Sequence, residues 1–226
     1  MKTGEFQEYK ARFRTAIRRG LIEAAPGRLD EAAFPAYSHP NLVINFLFWQ
    51  RIRKVIDFLE ENAPYDLALD FGCGSGVMLP FLGQACARVI AIDIDLYPLE
   101  TVKPYITLPE NIEFRDARDT FLGDLPSSSF DVIIALDVLE HVEDLNQTLA
   151  DLCKLLRTGG RLVVSGPTEN PAYKIGRLLA GPEYSGEYHE RSVRDIKKAL
   201  SAFMNVKKIA TLYYPIPLFE IFYGFV

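Results

Sequence analysis

Cysteine and histidine are both scarce, with three of each in 226 residues. Cys73, Cys86 and Cys153 are odd in number, widely spaced and outside any Cys-x-x-Cys pattern, which excludes a disulfide framework and leaves reduced thiols as the expectation. No His-x-x-x-His pair occurs either, so no metal is expected. The chain has no uncharged apolar run of membrane-spanning length, and Met1 to Phe6 lacks the apolar core of a signal peptide, so a cytoplasmic protein is expected. Excess positive charge is missing too. A formal charge of −5 and a pI near 5.3 argue against a broad nucleic-acid footprint. Internal repeats and low-complexity tracts are absent. What remains is a 49% hydrophobic chain, long enough for one α/β domain with a substantial core and little room for a second.

The most informative stretch is Leu69-Asp-Phe-Gly-Cys-Gly-Ser-Gly76. Tyr65 to Leu69 reads as the end of a buried strand and Val77 to Ala85 has helical apolar spacing, so Gly72, Gly74 and Gly76 occupy a strand-to-helix turn. Glycine there accepts positive φ and has no Cβ, which lets a ligand approach the backbone amides, and Asp70 adds a carboxylate. Arg88-Val-Ile-Ala-Ile-Asp93 is a second β-rich run ending in an acid about twenty positions on, the spacing of a ribose-hydroxyl acceptor. A nicotinamide site would want Gly-x-Gly-x-x-Gly, but Val77 follows Gly76 and the third glycine comes one residue early.

Asp-x-Gly-x-Gly-x-Gly resembles the first motif of the class I S-adenosylmethionine-dependent methyltransferases, and further matches follow in order from about Tyr65 to Ser165. Asp93 resembles the second-strand acid that holds the ribose hydroxyls, with Ile94 beside it. Asn111-Ile-Glu-Phe-Arg-Asp116-Ala117 resembles the third strand, ending at the adenine edge. Ser129-Phe-Asp-Val-Ile-Ile-Ala-Leu136-Asp137-Val-Leu-Glu140-His141-Val142 resembles the fourth strand and its loop in the subgroup that includes ubiquinone-biosynthesis methyltransferases. Leu155 to Ser165 is similar to the helix, Gly-Gly turn and fifth strand that follow. The resemblance implies a Rossmann-like, doubly wound sheet of seven mostly parallel strands, the last antiparallel, with helices on both faces. It implies S-adenosyl-L-methionine as cofactor, S-adenosyl-L-homocysteine as product, and a cofactor site of Asp70, Phe71, Gly72, Cys73, Gly74, Gly76, Asp93, Ile94, Asp116, Ala117, Leu136 and Asp137.

The periodicity is consistent with that order. β-rich runs at 88–92, 112–115, 130–135 and 161–165 alternate with helical segments at 77–86, 97–103 and 143–156. Ser192-Val-Arg-Asp195 is a capping box for a helix through Ala202, and Val206 to Tyr213 and Leu218 to Phe225 look like a final strand pair. Residues 5–22 form a basic amphipathic helix that packs on the domain, covers the active site as a lid, or touches an anionic membrane surface. Ala24 to Pro40 reads as a linker, which divides the chain into 1–38 and a cofactor-binding domain over 39–226. Pro40 opens a helix with Leu42, Phe46, Trp49, Ile52, Ile56 and Leu59 on an apolar stripe.

Methyl transfer from a sulfonium needs alignment more than a particular catalytic group, and a base matters only when the acceptor must lose a proton. His141 and His189 are the candidate proton acceptors, and Tyr173, Tyr184 and Tyr188 the candidate substrate-binding residues. The acceptor is expected to be a small or lipophilic molecule. A non-catalytic nucleotide-binding protein and an NAD-dependent dehydrogenase are the alternatives.

Overall fold

The computed structural model describes residues 3–24, 29, 37–39, 41–168, 170, 191–213 and 215–225. Continuous apolar runs such as Val132 to Ala135 and Leu162 to Val164 cannot present a wet face, so their strands lie inside a sheet covered on both sides. The strands are β1 (Tyr65–Phe71), β2 (Cys86–Asp93), β3 (Ile112–Asp116), β4 (Phe130–Leu136), β5 (Leu156–Pro167), β6 (Asn205–Leu212) and β7 (Phe219–Phe225). They form one sheet in the order β3-β2-β1-β4-β5-β7-β6, with β7 antiparallel to both β5 and β6. The direction of winding reverses between β1 and β4, which opens a crevice at the carboxyl ends of those two strands.

Period-two alternation divides the sheet residues between two cores. Ala68, Val89, Ala91, Val132, Ile134 and Val163 face one cluster, shared with α1 (Thr3–Glu23), α2 (Leu42–Asn62), α3 (Leu79–Ala85) and α4 (Tyr97–Val102). Leu69, Ile90, Ile133, Leu162 and Val164 face the other, covered by α5 (Leu145–Leu155) and α6 (Val193–Leu200). Ser192 caps α6 through the expected box with Asp195, and Asp144 caps α5 by accepting from the Gln147 N–H.

The elements expected from the sequence are present, with shifted ends. The helix after the glycines starts at Leu79 rather than Val77, because Gly76 to Met78 are still turning. β5 begins earlier than expected. Phe130 pairs with Leu156 and Val132 with Arg161, so the Gly-Gly turn is a bulge within the strand, with Gly159 at φ +78°. The stripe on α2 divides: Trp49, Ile52, Ile56 and Leu59 are buried, whereas Leu42 is 75% and Phe46 50% exposed at the amino-terminal end.

The segment read as a linker contributes to the core. Tyr37 is buried, and its carbonyl accepts from Trp49 Nε1 at 3.1 Å and Asn45 Nδ2 at 2.6 Å. Phe6, Tyr9, Phe13 and Tyr37 all pack edge-on around Trp49. Thus α1 turns its apolar stripe inward and shares the core of the sheet. Pro40 lies outside the described residues.

Asp131 ties the entry of β4 to that of β1. Its buried carboxylate accepts from the Asp66 and Leu67 N–H groups, each at 2.8 Å, and pairs with Arg157. Burial pushes this carboxyl up, but the Leu67 N–H, the Arg157 guanidinium and the Asp66 N–H together hold it below the usual range. A depressed value in the folded state means stability that is present above the ordinary carboxylate range and lost as pH falls through it. Asp131→Ala is expected to cost about 2–4 kcal/mol at pH 7, since it leaves two amides and a guanidinium without their acceptor. Urea unfolding at pH 7 and pH 3 checks this, with the gap between variant and wild type narrowing in acid.

Candidate functional site

The turn after β1 is fastened to the end of β2 partly through backbone: the Gly72 and Cys73 N–H groups both donate to the Ile92 carbonyl, at 2.9 and 3.2 Å. Gly72 sits at φ +79°, and a Cβ there would come within 2.5 Å of Val138 Cγ2. This glycine is therefore required twice, for its backbone conformation and to let the turn after β4 close against the turn after β1. Gly76, at φ +76°, is in the same position against Leu99 and Leu79.

Asp93 closes the crevice from the β2 side. Its Oδ2 accepts from the Gly74 N–H at 2.7 Å and its Oδ1 from the Asp95 N–H at 3.0 Å. Asp70 is buried on the neighbouring strand, and desolvation, with the Asp93 charge adding to it, pushes its carboxyl up to about 8. Burial and then the Asp70 charge likewise raise Cys73, which keeps that thiol protonated and inert. Phe71 and Leu136 are half-buried at the ends of adjacent strands, and Ile94, 71% exposed, leaves an apolar side chain at the rim.

At β3, the Asp116 carboxylate is gripped by Arg118, with Nη2 to Oδ2 at 2.5 Å and Nε to Oδ1 at 2.9 Å, and this holds its carboxyl down at about 2. The Ala117 N–H donates to the Asp93 carbonyl at 2.8 Å. Both groups lie where the sequence placed the adenine edge, and both already have protein partners.

At β4, Asp137 takes up φ +54° and forms an ion pair with Arg51 of α2. Arg51 also donates from Nη2 to the Tyr37 hydroxyl at 3.4 Å, and its guanidinium lies 5.1 Å from the Phe48 ring centre and 5.3 Å from that of Phe219. Sequence reasoning passed over Arg51 and Tyr37, since the stripe on α2 read as core. The only signal was an arginine inside an apolar helix face.

His141 is exposed on the turn after β4, while its neighbour Glu140 is buried. His189, Tyr173, Tyr184 and Tyr188 lie outside the described residues. Among the described residues no group of His, Cys, Asp and Glu is arranged to hold a metal ion.

The donor set can be tested against a nucleoside cofactor that carries an amino-acid tail. Carboxylates at the ends of β1, β2 and β4 are acceptors for ribose hydroxyls and for an ammonium, and the backbone at Gly72 to Gly76 carries no side chain beyond Cys73 and Ser75. These residues fit such a group. A seven-stranded sheet of this order, with a glycine turn and acid-ended strands at its switch point, defines a Rossmann-like methyltransferase fold. Comparison with known proteins agrees. The family described as "Methyltransferase domain" matches residues 69–164. A ubiquinone biosynthesis O-methyltransferase of Pseudomonas fluorescens is 29% identical over 157 residues, 65% of this chain and 67% of that protein. Its counterpart in Saccharophagus degradans is 32% identical over 133 residues, 58% of this chain and 55% of that protein, so the matched region leaves a good part of these relatives uncovered. Among solved structures, the N-methyltransferase NodS of Bradyrhizobium japonicum, in complex with S-adenosyl-L-homocysteine, matches with a TM-score of 0.56 at 17% identity, covering 94% of this chain and 98% of that one. Magnesium protoporphyrin IX methyltransferase of Synechocystis, also with bound S-adenosyl-L-homocysteine, gives 0.56 at 24% identity over 81% and 87%. Residues 69–164 are thus similar to the methyltransferase domain family, and the sheet has the fold of the solved methyltransferases that bind S-adenosyl-L-homocysteine.

Asp70 generates a pH prediction. Its carboxyl is about 8 in the fold against an ordinary 3.8, so the folded chain holds a proton that the unfolded chain releases between those values. Stability is then greatest at the acid end of that window and is lost as pH rises through about 8, by at most about 1.4 kcal/mol per pH unit for one proton. Asp70→Asn removes the titration, and denaturant unfolding between pH 5 and 8 is expected to show a flatter profile for the variant than for wild type. An equally steep profile in the variant would assign the proton to another group.

Proposed function

We propose that this protein transfers the methyl group of S-adenosylmethionine to a small or lipophilic acceptor by in-line displacement. The observation that carries this reading is the glycine turn between the ends of β1, β2 and β4, whose Gly74 N–H is bound by Asp93, with Asp70 and Asp137 at the neighbouring strand ends. Bound S-adenosylmethionine would supply an already activated methyl carbon, so the protein's task is to hold and align.

In this reading Asp93 accepts from the ribose hydroxyls, since its two oxygens keep lone pairs beyond the bonds from Gly74 and Asp95. Asp70 and the turn from Phe71 to Gly76 surround the methionine portion, Ile94 covers the adenine face, and Asp116 with Ala117 borders its edge. Leu136 and Asp137 stand beside the reacting carbon, where the acceptor enters from the β4 side. His141, exposed on the next turn, and His189 are the groups that would take a proton from a hydroxyl acceptor. Tyr173, Tyr184 and Tyr188 would line the acceptor's entry. The resemblance to ubiquinone biosynthesis O-methyltransferases supports an aromatic hydroxyl as the first acceptor class to try.

A weak peripheral contact with a membrane would fall on α1. Most of the apolar stripe of α1 lies in the core, which leaves the basic face with Arg12, Arg18 and Arg19, and the exposed Leu21 and Ile22 at the carboxyl end, to meet anionic lipid. No helix among the described residues is long and apolar enough to cross a membrane. The expected result of cosedimentation with anionic liposomes is retention in the supernatant at about 0.15 M salt, where exposed charges are screened beyond ~8 Å. Pelleting at that salt would restore the amphipathic reading.

Isothermal calorimetry with S-adenosylhomocysteine tests the cofactor assignment, and absence of binding at high micromolar ligand would sink it. Asp93→Ala is expected to weaken binding by about 1.5–3 kcal/mol, as for hydrogen bonds to a charged group. An unchanged dissociation constant in the folded variant would remove Asp93 from the site.

A further inference from the structure

The turn between β4 and α5 carries His141, and its backbone is fastened on both sides of that residue. Before it, the Asp137 N–H donates to the Ser165 carbonyl of β5 and the His141 N–H to the Val138 carbonyl, each at 3.0 Å, while the Val138 side chain fills the space beside Gly72. After it, Arg191 reaches across from the amino end of α6. Its Nη1 donates to the Val142 carbonyl at 2.5 Å and its Nη2 to the Glu143 carbonyl at 2.9 Å.

Arg191 hangs from a fixed point. It precedes Ser192, whose N–H and hydroxyl both donate to the Asp195 carboxylate, at 2.9 and 2.7 Å, in the cap of α6. Val193, next in the chain, is buried against Gly166 near the end of β5, where a Cβ on the glycine would lie 3.3 Å from the valine. The guanidinium thus clasps the turn after β4 to an element packed on β5. Folding does not require such a clasp, because carbonyls at an exposed turn can bind water, and Asp144 already caps α5 by accepting from the Gln147 N–H at 2.9 Å. Leu139 and Leu145 anchor the turn in the core independently. What water cannot do is fix the direction of the backbone that leaves His141, and a planar fork of donors on two successive carbonyls does so. Direction matters for a base, whose ring must lie within reach of the proton, and a misplacement of about 1 Å can slow a reaction about a hundredfold.

We propose that Arg191 is a positioning residue for the transfer step, holding the turn after β4 so that His141 meets the acceptor, with no part in cofactor affinity. The proposal rests on the methyltransferase reading above, with His141 as proton acceptor. The imidazole takes the hydroxyl proton as the acceptor oxygen gains the methyl carbon and the carbon–sulfur bond breaks. Arg191 itself touches neither reactant.

The test measures methyl transfer from S-adenosylmethionine to catechol by wild type, Arg191→Met, Arg191→Lys, His141→Gln and the double variant Arg191→Met/His141→Gln. Binding of S-adenosylhomocysteine and thermal unfolding are followed in parallel. Arg191→Met is expected to lower kcat by about tenfold or more while the S-adenosylhomocysteine constant stays at the wild-type value. Arg191→Lys, which keeps the charge without the planar fork, is expected to fall between wild type and Arg191→Met. The double variant is expected to turn over no more slowly than His141→Gln, because Arg191 acts through His141. A second readout needs no acceptor: with three histidines in the chain, the ring-proton resonance of His141 is identified by its loss in His141→Gln, and it is expected to shift or broaden in Arg191→Met. Unchanged kcat in folded Arg191→Met overturns the proposal, as does an unmoved His141 resonance or full activity in His141→Gln. So does an equal loss of kcat and of S-adenosylhomocysteine affinity, which would mark a structural role, or a multiplied loss in the double variant, which would mean that Arg191 acts elsewhere. If Arg191→Met fails to fold, wild-type kcat with a wild-type His141 resonance in Arg191→Lys overturns it equally. If wild type binds S-adenosylhomocysteine but leaves catechol unmethylated, the acceptor class of the parent reading fails, and the His141 resonance decides this proposal by itself. Absence of S-adenosylhomocysteine binding in wild type would bring down the parent reading, and this proposal with it.

Discussion

The close approach of two turns, one after β1 and one after β4, is the constraint on which the site depends. Gly72 has no Cβ, Val138 occupies the space where one would be, and the Gly72 and Cys73 amides are both anchored on the Ile92 carbonyl. The carboxyl ends of β1, β2 and β4 are thereby drawn into one crevice. Asp70, Asp93 and Asp137 become neighbours because their strands are, and their strands are neighbours because the buried faces of Ala68, Val89 and Val132 share one core. Burial, with the Asp93 charge adding to it, raises the energy of the ionised Asp70, and a cationic ligand would relieve that tension.

The second element of the site comes from the amino-terminal part of the chain. Trp49, ringed by Phe6, Tyr9, Phe13 and Tyr37, locks α1, the Tyr37 segment and α2 into one aromatic cluster. The Tyr9 hydroxyl donates to the Val77 carbonyl at 3.0 Å, directly behind the glycine turn. The same cluster presents Arg51 and the Tyr37 hydroxyl to the β4 edge. The described residues on both sides of position 38, from α1 to Tyr37 and α2, thus pack into the same core.

Strand and helix order was legible because each strand is a short apolar run closed by a turn signal, and each acid at a strand end is adjacent in sequence to the run that places it. Asp70, Asp93, Asp116 and Asp137 could be found this way, by local pattern and by likeness to a family whose motifs are themselves local. The sequence could not reveal what those acids touch. The resemblance places Asp116 at the adenine edge, and the structure adds that Arg118, two residues on, holds its carboxylate in a fork. Leu42 and Phe46 matched the apolar stripe of α2 but project beyond the edge of the core, since periodicity states which face is apolar and not how far the neighbouring elements extend.

The sequence by itself determined the doubly wound order, the glycine turn and the identity of the strand-end acids, because backbone conformation and period-two burial are imposed by near neighbours in the chain. Only the tertiary structure decided that an arginine on an apolar helix face would meet the aspartate after β4, with a serine of β5 on its other side. That choice depends on how α2 settles across the sheet against Phe48 and Phe219, a matter of packing between elements that no local pattern encodes.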